Sequence, residues 1–188
     1  FAGPEEISAL ATVVAEYDGI YTSHMRSEGA ELLEAVEETL AVGAQTGCRV
    51  ELSHLKTAGA SNWGKIDSLL ERIQAARNAG IAVAADRYPY LAACTDLDVI
   101  LPAWAAAGER GEILGRLRDP AIRAGIRSEL LAGRPADYWG RVRIGSTFHP
   151  ANIRFRGMRL VEIAAELAME PVDAALHLME SDELHTGG

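Results

Sequence analysis

Apolar residues recur through residues 4–17 at the spacing of one helical face: Ile7, Leu10, Val14 and Tyr17. Pro4 suits a first helical position, and Glu5 and Glu6 follow in the first turn, where the helix dipole favours acid. Asp18-Gly19 stops the pattern. "IYTSHM" (20–25) then reads as a short strand ending at His24, and a helix is predicted from about Ala30 to Gln45, with Leu33, Val36, Leu40 and Val42 on its apolar side and Gly47 as its cap. "CRVELSHL" (48–55) is a second strand. "WGKIDSLLERIQAARNAG" is a further helix, with Ile66, Leu69, Leu70 and Ile73 inward and Gly80 as its stop. "IAVAADRYPY" (81–90) is a third strand, closed by Pro89.

Helix and strand patterns thus alternate, and Ile20, Arg49 and Ile81 open the strands about thirty residues apart, the length of a βα unit. That rhythm predicts a parallel sheet. It breaks after Tyr90. Asp119-Pro120 reads as an N-cap and first helical residue of a helix to about Leu131. "GRVRIGS" reads as one short strand, and "LVEIAAELA" and "PVDAALHLMESDE" as two helices. The expected organisation is an α/β part over 1–100 and a mostly helical insertion or cap over 101–188.

The chain has 188 residues and a net charge of -9, so with no basic stripe nucleic acid is not an expected partner. No apolar run reaches the length of a membrane span, so no membrane partner is expected either. Cys48 and Cys94 form no paired framework, and cytoplasm is the default compartment. Neither a Gly-rich dinucleotide loop nor a phosphate loop is present.

Binding groups of parallel sheets collect at the C-terminal ends of strands. His24 and His54 end the first two strands. Neighbouring strands lie about 4.8 Å apart, so two imidazoles in register can share a divalent cation such as zinc. Alternation places His24 with Ile20 and Thr22, and His54 with Val50 and Leu52; Lys56 would return to the face of His54. The competing reading makes each histidine a hydrogen-bonded core group, and two imidazoles alone are fewer ligands than a catalytic zinc takes.

"YTSHMRSEG", "ELSHLKTAGASNWGK" and "ADRYPYLAACTDL" resemble, in order and spacing, the central part of the N-acyl-D-amino-acid deacylases (D-aminoacylases) of the metal-dependent amidohydrolase superfamily. The likeness covers about 21–97 and is looser over 101–188. It implies a (β/α)8 barrel, here a partial TIM barrel of about three βα units, and a zinc-dependent hydrolysis of N-acyl-D-amino acids to a carboxylic acid and a D-amino acid. By the same likeness His24 and His54 would be metal ligands. Lys56 and Tyr88 would contact the substrate carboxylate, with Cys94 near the place of a family hydroxyl and Arg26 either supporting a ligand from behind or contacting the substrate. The physics agrees: an ammonium and a phenol suit a free carboxylate, whereas a thiol is a weaker donor.

Blander readings stand beside these. Lys56 would be a solvated loop lysine, Tyr88 an aromatic packed on Pro89, and Arg26 an ion-pair partner of Glu28 or Glu31. His149 and His177 read as structural, and His185 lies in a frayed tail. Asp86 could hydrogen-bond near the site or merely order a loop. Cys48 reads as a small buried hydrophobe, and Trp104 and Trp139 as core of the cap.

The resemblance also implies an early H-x-H pair, an upstream bridging cysteine and a late aspartate acting as general base. None falls in this chain, so the general base is expected outside it. One or two zinc ions are expected in the full-length enzyme, which this stretch alone need not retain, and the stretch is expected to be inactive by itself. Two open sheet edges favour self-association. The rival readings are a dihydroorotase- or hydantoinase-like ring amidohydrolase, for whose carboxylated lysine Lys56 lies on the wrong side of the histidine, and a non-catalytic α/β binding domain. The orientation of His24 and His54 separates the last from the first.

Overall fold

The computed structural model of the chain describes residues 2–188, in two compact units, one running to Tyr90 and the other from Leu91 to Gly188. The division falls ahead of the boundary at residue 100 expected from the change in pattern.

The first unit alternates α1 (Pro4–Glu16), β1 (Ile20–Ser23), α2 (Leu32–Thr46), β2 (Arg49–Leu52), α3 (Ile66–Asn78) and β3 (Val83–Ala85). The strands pair in the order β1-β2-β3, all parallel. Ile20 lies opposite Arg49 and Ser23 opposite Leu52, while Val50 lies opposite Val83. Sequential parallel strands joined through helices are the expected partial (β/α)8 barrel.

Local chemistry sets these elements. Pro4 occupies the first turn of α1, where its missing N–H costs nothing. Gly47 closes α2 at φ 70°, and its N–H donates to the Gly43 carbonyl at 2.9 Å. Gly43 lets α2 approach the sheet: a Cβ there would meet Ile81 Cγ2 at 2.9 Å and Val50 Cγ1 at 3.1 Å. The core joins Leu32, Val36 and Leu40 of α2 to Val50 and Leu52 of β2 and Leu69 and Ile73 of α3. Each such side chain contributes about 1.5–3 kcal/mol on burial. Leu69 and Ile73 face inward as expected, but Ile66 and Leu70 are exposed because the buried stripe continues through Ala76. Cys48 is buried against Ala11 and Val42.

Only one sheet face is covered in this way. Ile20, Thr22, Arg49 and Ala84 on the other face are exposed. A doubly wound sheet would cover both faces, whereas a barrel turns one inward.

The strands are shorter than the pattern suggests. β3 ends at Ala85, where the predicted strand ran to Tyr90, because beyond it Asp86 serves the loop after β2: its carbonyl accepts from the Leu55 N–H at 2.9 Å.

The second unit holds α4 (Ala103–Ala106), α5 (Arg110–Arg118), α6 (Pro120–Ala132), α7 (Tyr138–Arg141), α8 (Leu160–Leu167) and α9 (Pro171–Ser181). Asp119 caps α6 as expected, its Oδ1 accepting from Ala121 and Ile122 N–H at 2.9 and 3.0 Å. Leu117, Ile126, Phe155, Ile163 and Leu176 form part of its core. Trp139 is buried, but Trp104 is exposed, with its indole N–H donated to Glu129 at 2.9 Å. "GRVRIGS" makes single bridges, Arg143 to Arg159 and Ser146 to Gly187, and no strand. The end of the chain is not frayed: Thr186 O accepts from Leu97 N–H at 2.7 Å and Gly187 O from Gly145 N–H at 2.8 Å. Among the described residues no helix is long and apolar enough to cross a membrane.

Candidate metal centre

His24 follows β1 directly and keeps the exposed face of Ile20 and Thr22. The register pairs Thr22 with Glu51 and Ser23 with Leu52, so strict continuation would set Ser53, not His54, beside His24. It would also send His54 to the helix-covered side with Val50 and Leu52, away from His24. That face assignment is corrected by the backbone. His54 has φ 42°, in the left-handed region, and the chain turns there. The turn is held by three hydrogen bonds: Ser53 N–H to Ser23 O at 3.0 Å, His54 N–H to Asp86 Oδ1 at 2.7 Å, and Leu55 N–H to Asp86 O at 2.9 Å.

The result is convergence. The two imidazole rings lie 4.5 Å apart between centroids at 40° to each other, and His24 Nδ1 faces His54 Nε2 in direct contact. Two neutral imidazoles with lone pairs aimed at one point repel unless a proton or a cation sits between them.

The far side of His54 is also held. Its Nδ1 lies 2.7 Å from Glu28 Oε1, and the same carboxylate oxygen receives Lys56 Nζ at 2.5 Å. Lys56 Nζ also donates to the His54 carbonyl at 3.1 Å. Its side chain is only 16% exposed, so Lys56 is not the solvated loop lysine of the bland reading. Tyr88 adjoins it, with Nζ 5.7 Å from the ring centroid, and stacks on Tyr90 at 6.4 Å.

Arg26 is not paired with Glu28 or Glu31, because Glu28 is engaged by Lys56 and His54. It bonds both oxygens of Glu38, at 2.8 and 2.7 Å, and that bond raises its already high pKa further. It lines, with His24, Tyr21 and Ser23, a cleft of about 500 Å³. Cys94 is exposed in the second unit, its Sγ beside Gly145. His149 donates its backbone N–H to Asp182, and His185 sits against Arg110, both within the second unit.

Three functional candidates carried too little sequence signal. Glu28 falls in the block "YTSHMRSEG", four residues beyond His24, but the sequence suggests only a partner for Arg26 and not one for His54 and Lys56. Asp86, which the sequence leaves open between the site and loop order, is the acceptor of the His54 N–H. Glu51 stands beside Asp86; hydrogen bonding to that carboxylate, then burial, then its charge hold the Glu51 carboxyl above its ordinary range.

As a zinc site the His24–His54 pair fits in donor type and in convergence. It fits as part of a ligand set: among the described residues no three His, Cys, Asp or Glu side chains are placed to hold one ion.

No protein-family model matches the chain. An N-acyl-D-glutamate deacylase of Alcaligenes xylosoxydans xylosoxydans is 47% identical over 92 residues, 49% of this chain and 19% of that protein. A D-aminoacylase of the same organism is 38% identical over 96 residues, 51% of this chain and 20% of its own length. The crystal structure of N-acyl-D-glutamate deacylase from Bordetella bronchiseptica, complexed with zinc and a phosphonate mimic of the tetrahedral intermediate, superposes with a TM-score of 0.70 at 30% identity, over 99% of this chain and 31% of that one. A D-aminoacylase structure described as defining a novel subset of amidohydrolases gives a TM-score of 0.63 at 28% identity, over 99% and 30%. The matches therefore span about a fifth of the curated relatives and a third of the solved ones. Alike in sequence over half its length and in fold over nearly all of it, the chain is similar to a part of the N-acyl-D-amino-acid deacylases of the amidohydrolase superfamily.

Proposed function

We propose that this stretch supplies two metal ligands and the carboxylate-binding cation of an enzyme that hydrolyses N-acyl-D-amino acids. The observation that carries the reading is the meeting of His24 Nδ1 and His54 Nε2 at one point, built by a left-handed residue and with an ammonium on the far side of His54. Zinc bound there would polarise the amide carbonyl and acidify a water. Lys56 would hold the free carboxylate of the substrate as a point charge, with Tyr88 beside it as a phenolic donor. Arg26, fixed by Glu38, would border the cleft next to His24. Cys94 is a further candidate contact, as the weak donor of the set. The general base is assigned outside this chain, and so is the rest of the ligand set, so the stretch alone is inactive.

The test is a chimera. The corresponding stretch of an N-acyl-D-glutamate deacylase is replaced by this chain, and hydrolysis of N-acyl-D-amino acids is measured. Activity that is lost in His24→Ala and His54→Ala supports the reading. A folded chimera that binds zinc and stays active without both histidines contradicts it.

Self-association belongs to the same reading. β1 and β3 are edge strands of the three-stranded sheet, and unpaired edges recruit further strands. Light scattering of this chain is expected to give a mass above that of one copy.

A further inference from the structure

We propose that Arg87 is a second anion-binding residue of this site, placed to take a side-chain carboxylate and so to favour N-acyl derivatives of acidic D-amino acids. The inference rests on the reading that Lys56 and Tyr88 meet the substrate. It starts from what the two cations beside Tyr88 have left to offer.

Lys56 and Arg87 border the same phenol. Lys56 Nζ lies 5.7 Å and Arg87 Cζ 4.9 Å from the Tyr88 ring centroid. Both follow strand ends, Lys56 in the loop after β2 and Arg87 in the loop after β3, where parallel sheets gather their binding groups. Their hydrogen bonding differs. An ammonium has three donors. Lys56 directs them to Glu28 Oε1 at 2.5 Å, the His54 carbonyl at 3.1 Å and His54 Nδ1 at 3.1 Å. Its charge is balanced by Glu28 and its donors are all used, so it takes a substrate carboxylate only in exchange for a contact it already has.

Arg87 is in the opposite state. It is exposed, and of the five N–H donors of a guanidinium the one hydrogen bond it makes among the described residues uses Nη1, to the Leu55 carbonyl at 3.3 Å. Among the described residues it forms no ion pair. Asp86, its neighbour in sequence, is engaged instead by the His54 N–H and by Glu51. The edge of the guanidinium formed by Nε and Nη2 is thus open, and that planar edge matches the two oxygens of a carboxylate. The stack on Tyr88 and the bond to Leu55 hold the plane, so less side-chain freedom is lost when an anion binds. A substrate with one carboxylate leaves this edge empty. One with two can engage Lys56 and Arg87 together.

The test has two arms. In the first, this chain, labelled with ¹⁵N at arginine and lysine, is titrated with N-acetyl-D-glutamate and with N-acetyl-D-glutamine, which has the same shape without the side-chain charge. The Arg87 Nε–H signal is expected to shift with the first and not with the second. A signal that stays still with both, or moves equally with both, overturns the proposal. In the second arm the deacylase chimera carries Arg87→Gln. The ratio of kcat/KM for N-acetyl-D-glutamate to that for N-acetyl-D-glutamine should fall about 10- to 100-fold, the strength of a hydrogen bond to a charged group. Arg87→Lys keeps the charge without the planar fork and should keep part of the preference. An unchanged ratio, including an equal loss for both substrates, shows that Arg87 only supports the loop and overturns the proposal. A chimera that hydrolyses neither substrate removes the proposed function, and the titration then decides for Arg87.

Discussion

Replacing His54 by alanine and, separately, by glycine tests the turn on which the imidazole pair depends. Both variants delete the ring and its contact with Glu28 equally, so their difference isolates the backbone. At φ 42° a residue with a Cβ bears a penalty of about 1–2 kcal/mol. Glycine escapes it but starts from a more disordered unfolded chain, which costs about 0.4–1 kcal/mol. The balance makes His54→Gly more stable than His54→Ala by about 0.5–1 kcal/mol. At an ordinary position the order is reversed by a similar amount, so the sign alone decides. His54→Asn should fall between, since asparagine tolerates this region. The assay is native-state hydrogen exchange at the Val50 amide, which bonds to Ala82 O at 2.9 Å in the core of the first unit and so reports its opening free energy. Slower exchange in His54→Ala than in His54→Gly would refute the left-handed turn, and with it the reason the rings meet.

Asp86→Ala removes the acceptor of the His54 N–H and should destabilise the first unit by about 1 kcal/mol in the same exchange assay. It should also let Glu51 titrate lower, read by carboxyl NMR; an unchanged Glu51 would show that Asp86 is not the cause. Because the folded Glu51 carboxyl is raised above its ordinary 4.5, it contributes stability at low pH that fades as pH rises through the folded value, and Glu51→Gln should flatten that slope in urea unfolding. In the second unit burial opposes ionisation of Asp182, but the N–H groups of His149 and Phe148 and the Thr186 hydroxyl outweigh it and lower its pKa. Its contribution is present above about 3.8 and is lost as pH falls through the lower folded value; Asp182→Ala should cost about 1–3 kcal/mol at neutral pH, and a neutral result would refute the role. Gly47→Ala meets no atom within 4 Å but must adopt φ 70°, so it should lower stability by about 1 kcal/mol through strain alone; an unchanged melting temperature would contradict this.

Much of this architecture is legible along the chain because its signals are local. Pro4, Gly47 and Asp119-Pro120 mark helix ends by their own backbone chemistry, and the thirty-residue rhythm marks the βα units. His24 and His54 can be singled out as strand-end groups for the same reason. Their geometry is another matter. A period of two puts His54 on the wrong face, and no glycine announces the left-handed residue that corrects it. Only Asp86, thirty-two residues away, shows what holds that turn. Glu28 stands in a recognisable block, but its partners His54 and Lys56 come from the next loop and are not legible there. α5 escapes notice because two glycines and four charges interrupt its apolar residues, leaving a capping box at Glu109 as its one clear marker.

The central claim is that His24 and His54 offer their facing nitrogens to a single cation. Zinc titration of the ¹⁵N-histidine-labelled chain tests it most directly. His24 Nδ1 and His54 Nε2 are expected to shift together along one saturation curve, and removing either ring is expected to abolish the response of the other. Zinc that shifts one imidazole alone, or other histidines with these two untouched, would contradict it.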